Sequence, residues 1–163
     1  MNLDLMRRAS QYVVVNVDRF SNFTTATMAA DETRETLASA ILSVVTPIRH
    51  AAQVEVRTDR ATALQSLANR PHPQLEENGI KVILGEHGNR NSNCSVDKTI
   101  RDLEEELRRI DPQGRKLTSG ELCRAVTNLN NRVRTHGLSA SQLHFSRDQH
   151  TGCLLYTSDA ADE

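Results

Sequence analysis

Tyr12-Val13-Val14-Val15-Asn16-Val17 leaves this chain the fewest choices. Four valines and a tyrosine in six residues are stiff at χ1 and suit a pleated strand. The run is nearly continuous in apolar character, so it needs cover on both faces, as a central strand in a layered sheet does. Its neighbours fit that reading. Asn2-Leu3-Asp4-Leu5-Met6 reads as a strand, followed by a polar connection from Arg7 to Gln11. Phe23 to Met28 reads as a third strand after Arg19-Phe20-Ser21-Asn22, giving a three-strand meander.

Beyond the meander, strands and helices alternate. Asp31 is expected to cap a helix running to about Thr46, with Leu37, Ile41 and Val44 on one face and Pro47 just past its end. Val54 and Val56 alternate with polar residues in a fourth strand that hands Asp59 to the following loop. Ala61 to Leu67 is helix-capable, Pro71 and Pro73 mark a loop, and Gly79 to Gly85 reads as a fifth strand. Gly85 to Asn93, with two Gly and three Asn, predicts a loop that leads into the best-defined helix of the chain. There Val96, Ile100, Leu103, Leu107 and Ile110 form one apolar stripe, and Asp97 and Arg101 lie on the adjacent one. Asp111-Pro112-Gln113-Gly114 ends that helix. Thr118-Ser119-Gly120-Glu121 and Ser139-Ala140-Ser141-Gln142 are capping boxes, the first opening a helix that buries Leu122, Val126, Leu129 and Val133. The pattern is a single α/β domain built on one sheet.

Composition narrows the function. With 163 residues, 37% hydrophobic and 25% charged, the chain is long enough for a real core and too apolar for disorder. Aromatics are 3% with no Trp, which argues against stacking platforms for single-stranded nucleic acid. No apolar run reaches the roughly 20 residues of a membrane helix. Cys94, Cys123 and Cys153 lack metal or redox spacing, so free thiols in a reducing, intracellular compartment are expected. The six histidines are scattered and read as surface or loop residues. Residues 153–163 resemble translated sequencing-adapter DNA and are set aside from fold reasoning. Without their three acids the formal charge moves from −1 to +2.

Three acids stand out by context. Asp59 ends a strand at its carboxyl side, where open α/β sheets keep their chemistry. Asp4 lies in the first strand and Asp97 near the start of the long helix. Carboxylates at strand and helix ends suit an oxygen-lined magnesium or manganese site. Taken singly, each also fits a plainer role: a surface strand residue, a helix cap, or an acid at its favoured helix end. Residues 81–136 carry eleven Lys and Arg against eight Asp and Glu, a mild excess that permits DNA contact.

Asn2-Leu3-Asp4, Tyr12 to Phe23 with its Val-Asp-Arg-Phe-Ser core, Arg57-Thr58-Asp59, Asn91 to Leu107, and Thr135-His136-Gly137-Leu138-Ser139-Ala140 occur here in a telling order. Together they resemble the DDE-type integrase catalytic core of retroviruses and LTR retrotransposons, most closely the Gypsy-type elements. The resemblance covers about Asn2 to Gly152. It implies an RNase H-like fold, a five-stranded mixed sheet with helices on both faces, and a core (residues 1–152) truncated at both ends relative to whole integrases. Family members hold two divalent cations, Mg2+ or Mn2+, on two Asp and one Glu. By position these are Asp4, Asp59 and, in place of the Glu, Asp97; Asp18 matches the second strand and is not the catalytic acid.

The implied activity is DNA end processing and strand transfer, with element ends and target DNA as partners, a homo-oligomeric assembly, and a nuclear site of action. Lys98 and Arg101 on the long helix, with Asn91 and Asn93 before it, are the implied DNA contacts. The basic pair reads equally as a salt-bridged helix surface, through Lys98–Asp102 and Arg101–Glu105, and the asparagines as turn formers. The chain departs from the family in three ways: 37 residues separate Asp59 from Asp97, Arg60-Ala61 replaces an Asn-Gly, and Asp replaces Glu. A catalytically inactive DNA-binding or dimerisation module, and a cellular RNase H-like nuclease, are the alternative readings.

Overall fold

The computed structural model describes residues 1–49, 51–59, 61–85, 94–134 and 137–155. Five strands form one sheet: β1 (Asn2–Arg8), β2 (Gln11–Val17), β3 (Thr24–Ala29), β4 (Val54–Thr58) and β5 (Ile80–Leu84). Their spatial order is β3-β2-β1-β4-β5. The meander half is antiparallel, whereas β1–β4 and β4–β5 are parallel. The sheet is therefore mixed.

Alternation along β1 and β2 decides what each face buries. Leu3 and Val14 pack with α1 (Arg34–Val45), α2 (Thr62–Asn69) and α3 (Pro73–Glu77), chiefly through Leu37, Ile41, Leu64, Leu67 and Leu75. Met6, Val13, Val15 and Val17 face the other way, against α4 (Cys94–Ile110) and α5 (Ser119–Asn131), through Val96, Leu103, Leu107, Leu122 and Leu129. The valines of β2 are thus buried on both faces, as the sequence requires. A short α6 (Ala140–Phe145) follows α5. No helix among the described residues is long and apolar enough to cross a membrane.

Both capping boxes form as read: Thr118 and Glu121 at α5, Ser139 and Gln142 at α6. Four local expectations are corrected. β1 continues to Arg8 because Ala9 and Ser10, both at positive φ, make a two-residue hairpin turn. Thr33, not Asp31, caps α1; the Asp31 carboxylate instead accepts from the Thr33 amide and hydroxyl. Pro73 opens α3, since a first-turn proline loses no helical hydrogen bond. Val133 is 58% exposed because α5 stops at Asn131.

Two buried acids fasten α4. Asp111, just past its end, binds Arg115 and stands 3.8 Å from Arg8. Glu106 accepts from Arg109 at 2.7 Å and from Arg132, tying α4 to α5. Asn130 substitutes for a missing strand neighbour, accepting from the Thr24 amide at 2.8 Å and donating to its carbonyl at 2.7 Å.

Candidate active site

The register of β1 and β4 sets the first two acids side by side. Leu3 pairs with Thr58 in the parallel ladder, and the next residues are Asp4 and Asp59. Strand alternation turns Asp4 to the Met6 face, the face α4 covers. Asp97 lies in the first turn of α4. All three carboxylates are half-buried.

Their hydrogen bonds leave oxygens free. Asp4 Oδ1 accepts from the Leu5 amide at 2.7 Å, and Asp59 Oδ1 from the Ala61 amide at 3.0 Å. The second bond is an Asx-type turn just before α2, whose N-cap is Ala61 with no side-chain cap, so Asp59 is not the helix cap its sequence allowed. Asp97 has no hydrogen bond or ion pair among the described residues. Burial, then the neighbouring Asp59 charge and more weakly that of Asp97, lift the Asp4 carboxyl to about 6 against the Leu5 hydrogen bond. The three acids therefore occupy one electrostatic neighbourhood.

Oxygen donors of this kind match a hard divalent cation. The grouping is looser than the sequence reading anticipated, however. Among the described residues no three His, Cys, Asp or Glu side chains stand close enough to hold one ion together. Of the two neighbouring charges, Asp59 acts on Asp4 more strongly than Asp97 does. Aspartate is one methylene shorter than glutamate, about 1.5 Å of reach, and three uncompensated carboxylates repel one another.

Other candidates fall differently. Asp18 turns into its own loop, accepting from the Ser21 hydroxyl at 2.6 Å and amide at 2.9 Å, which lowers its carboxyl despite partial burial. Ser21 also lies 3.4 Å from His144 Nδ1, and His144 stacks on Phe23 at 4.5 Å. This resembles a nucleophile–base–acid set, but Ser21 is fully buried and its proton goes to Asp18. The arrangement docks α6 onto the β2–β3 turn. Nothing local in the sequence marks that contact; His144, read as a surface or loop residue, is a half-buried residue of α6 packed on Phe23.

Lys98 and Arg101 are exposed on α4 and form no ion pair among the described residues; Glu105 pairs with Arg109 instead. The pairs Lys98–Asp102 and Arg101–Glu105 are thus not made. Asn91 and Asn93 lie outside the described residues. A cavity of about 580 Å³ opens between α2, α3 and β4–β5, lined by Leu67, His72, Leu75 and Val82 among others. It contains none of the three acids and sits on the opposite face of the sheet.

An antiparallel three-strand meander extended by two parallel strands, with helices on both faces, is the RNase H-like fold, and this chain has it. Specifically, its fold is that of retroviral integrase catalytic cores. The catalytic core domain of BIV integrase matches with a TM-score of 0.69 and 21% identity, over 88% of this chain and 91% of that one. A chain of the simian T-cell lymphotropic virus intasome, solved with the PP2A regulatory subunit B56 gamma, matches with a TM-score of 0.71 and 20% identity. That match covers 96% of this chain and 57% of the intasome chain. No protein-family model and no curated protein sequence matches.

Proposed function

We propose that this chain is the catalytic core of a retroelement integrase, which processes DNA ends and joins them to target DNA by metal-dependent phosphoryl transfer. The observation that carries the reading is the placement of Asp4 on β1 beside Asp59, which directly follows the adjacent parallel strand β4, with the charge of Asp97 in the first turn of α4 also felt at Asp4. Asp4 and Asp59 would hold divalent cations, Mg2+ or Mn2+, through the oxygens they leave free, and Asp97 would complete the set. Two such ions supply activation of the attacking oxygen and stabilisation of the leaving oxygen. Lys98 and Arg101, exposed and uncommitted on the same helix, would bind DNA phosphates. Asn91 and Asn93 are proposed contacts of the same kind. The Gypsy-type origin, the oligomeric assembly and the nuclear location rest on the sequence resemblance.

The test is strand transfer on element-end DNA, with the chain joined to the flanking domains of an integrase. Weak activity dependent on Mg2+ or Mn2+ is expected. Asp97→Asn should abolish it, and Asp97→Glu should equal or exceed it, because the longer acid closes the gap to Asp4 and Asp59. Full metal-dependent activity in Asp97→Asn would remove Asp97 from the site. The looseness of the three-acid group favours a second reading, a DNA-binding or dimerisation module that has lost catalysis. A nicking assay on branched DNA separates the two, since only the enzyme loses activity to EDTA.

A further inference from the structure

One side-chain hydrogen bond joins the start of β1 to the first turn of α4. Asn2 Nδ2 donates to Ser95 Oγ at 2.7 Å. Asn2 is 3% exposed, and its Oδ1 has no hydrogen-bond partner among the described residues. A buried amide left half-satisfied costs about 1–3 kcal/mol, so packing alone is a poor account of an asparagine there. A leucine of similar volume would fill the space without that cost.

The far end of the helix is tied to the same strand. Arg8 Nη2 donates to the Asp111 carbonyl at 3.2 Å. Six strand residues from Asn2 to Arg8 span about 20 Å. Sixteen helical residues from Ser95 to Asp111 span about 24 Å. The two ties therefore match in length, and together they fix both the position of α4 along β1 and its pivot. Asp4 follows Asn2 by two residues on the same face of the strand, and Asp97 follows Ser95 by two on the helix. Asp97 lies about 200° round the helix axis from Ser95, so the Asn2–Ser95 bond pins the helical turn that carries Asp97 and not Asp97 itself, while the Arg8–Asp111 tie fixes the far end.

We infer that Asn2 is a positioning residue: through Ser95 it sets the distance of Asp97 from the Asp4–Asp59 pair, and so the affinity of the site for a divalent cation. This rests on the site reading given above. Asn2 acts through Asp97 and need touch neither cation nor DNA. A 1 Å drift of a supporting group is enough to spoil such a site.

The experiment is Mn2+ binding to the full chain by calorimetry, read without any catalytic assay. Asp97→Ala and Asn2→Ala should each weaken Mn2+ binding by about tenfold, the range typical of lost supporting contacts. The double variant should bind no more weakly than Asp97→Ala alone, because Asn2 works through Asp97. Ser95→Ala, at a partly exposed helix position, should reproduce Asn2→Ala and carries the test if that variant does not fold. Ser95→Thr, which keeps the hydroxyl, should bind like the parent chain. If Asp97→Ala weakens binding while Asn2→Ala and Ser95→Ala do not, the inference fails and the site stands. Multiplying losses in the double variant would also overturn it. If Asp4→Ala and Asp97→Ala both leave affinity unchanged, the site reading has failed and the inference goes with it.

Discussion

Asp4→Asn should make this protein more stable at neutral pH, although it removes a residue assigned to the active site. The folded state raises the Asp4 carboxyl from 3.8 to about 6, through burial first and the Asp59 charge second. A displacement of that size corresponds to about 3 kcal/mol, and solvent screening of a half-buried group brings it to about 1–2 kcal/mol. Because the folded-state value is raised, the folded chain holds the Asp4 proton through a pH range in which the unfolded chain has released it. The parent's contribution from this group is therefore fully present below about pH 4 and lost as pH rises through about 6. Asparagine does not titrate there, and its side-chain oxygen keeps an acceptor for the Leu5 amide.

The assay is thermal unfolding in EDTA from pH 4 to 8. The variant and parent should coincide near pH 4, and by pH 7.5 the variant should lead by about 2–8 °C, given 2–4 °C per kcal/mol for a domain of this size. Mn2+ should then raise the parent's midpoint and leave the variant's nearly unmoved. A variant less stable than its parent at pH 7.5 in EDTA, or a gap that does not close on acidification, would refute the electrostatic argument.

Gly79→Ala should destabilise the fold by more than about 3 kcal/mol, measured by urea unfolding, because Gly79 sits at φ +66° and an added Cβ would stand 2.0 Å from the Ala52 carbonyl oxygen. Ala9→Asn with Ser10→Gly should stabilise it by about 1 kcal/mol in the same experiment, since both turn positions have positive φ and suit Asn-Gly. Deleting residues 153–163 should shift the melting midpoint by no more than about 2 °C. Among its described residues, the exposed Cys153 and the half-buried Leu155 contribute two backbone–backbone hydrogen bonds, to Asp148 and Ser146. A loss of several degrees would show that the segment belongs to the fold.

What could be read from the sequence was what is written in short-range chemistry. The continuous β-branched run of β2, the period-two run of β4, the apolar stripe of α4 and the two capping boxes each depend on residues within a few positions of one another, and each has its counterpart in the structure. Local chemistry that serves two purposes was harder. Asp31 and Thr33 both suit a cap, and Pro73 suits a loop as well as a first helical turn. Asp4, Asp59 and Asp97 were distinguishable from other acids through the order of motifs around them; their looseness was not, since side-chain reach depends on how the helix seats. Contacts between distant residues left no mark at all. Asn2 with Ser95, Asn130 with Thr24, and Ser21 with His144 are each more than ninety residues apart.

The two ties from β1 to α4 also bear on how spacing between acids should be measured. A helix seated by Asn2 at one end and Arg8 at the other takes its position from the strand, whatever the length of chain that delivers it. Lengthening a flexible connection of roughly nine residues by two adds only about 0.2 kcal/mol of loop-closure entropy. Insertions ahead of α4 are therefore cheap and leave both bonds to β1 available. The 37 residues between Asp59 and Asp97 therefore measure the chain that joins them, while the seat of α4 is fixed by its two bonds to the seven-residue strand beneath it.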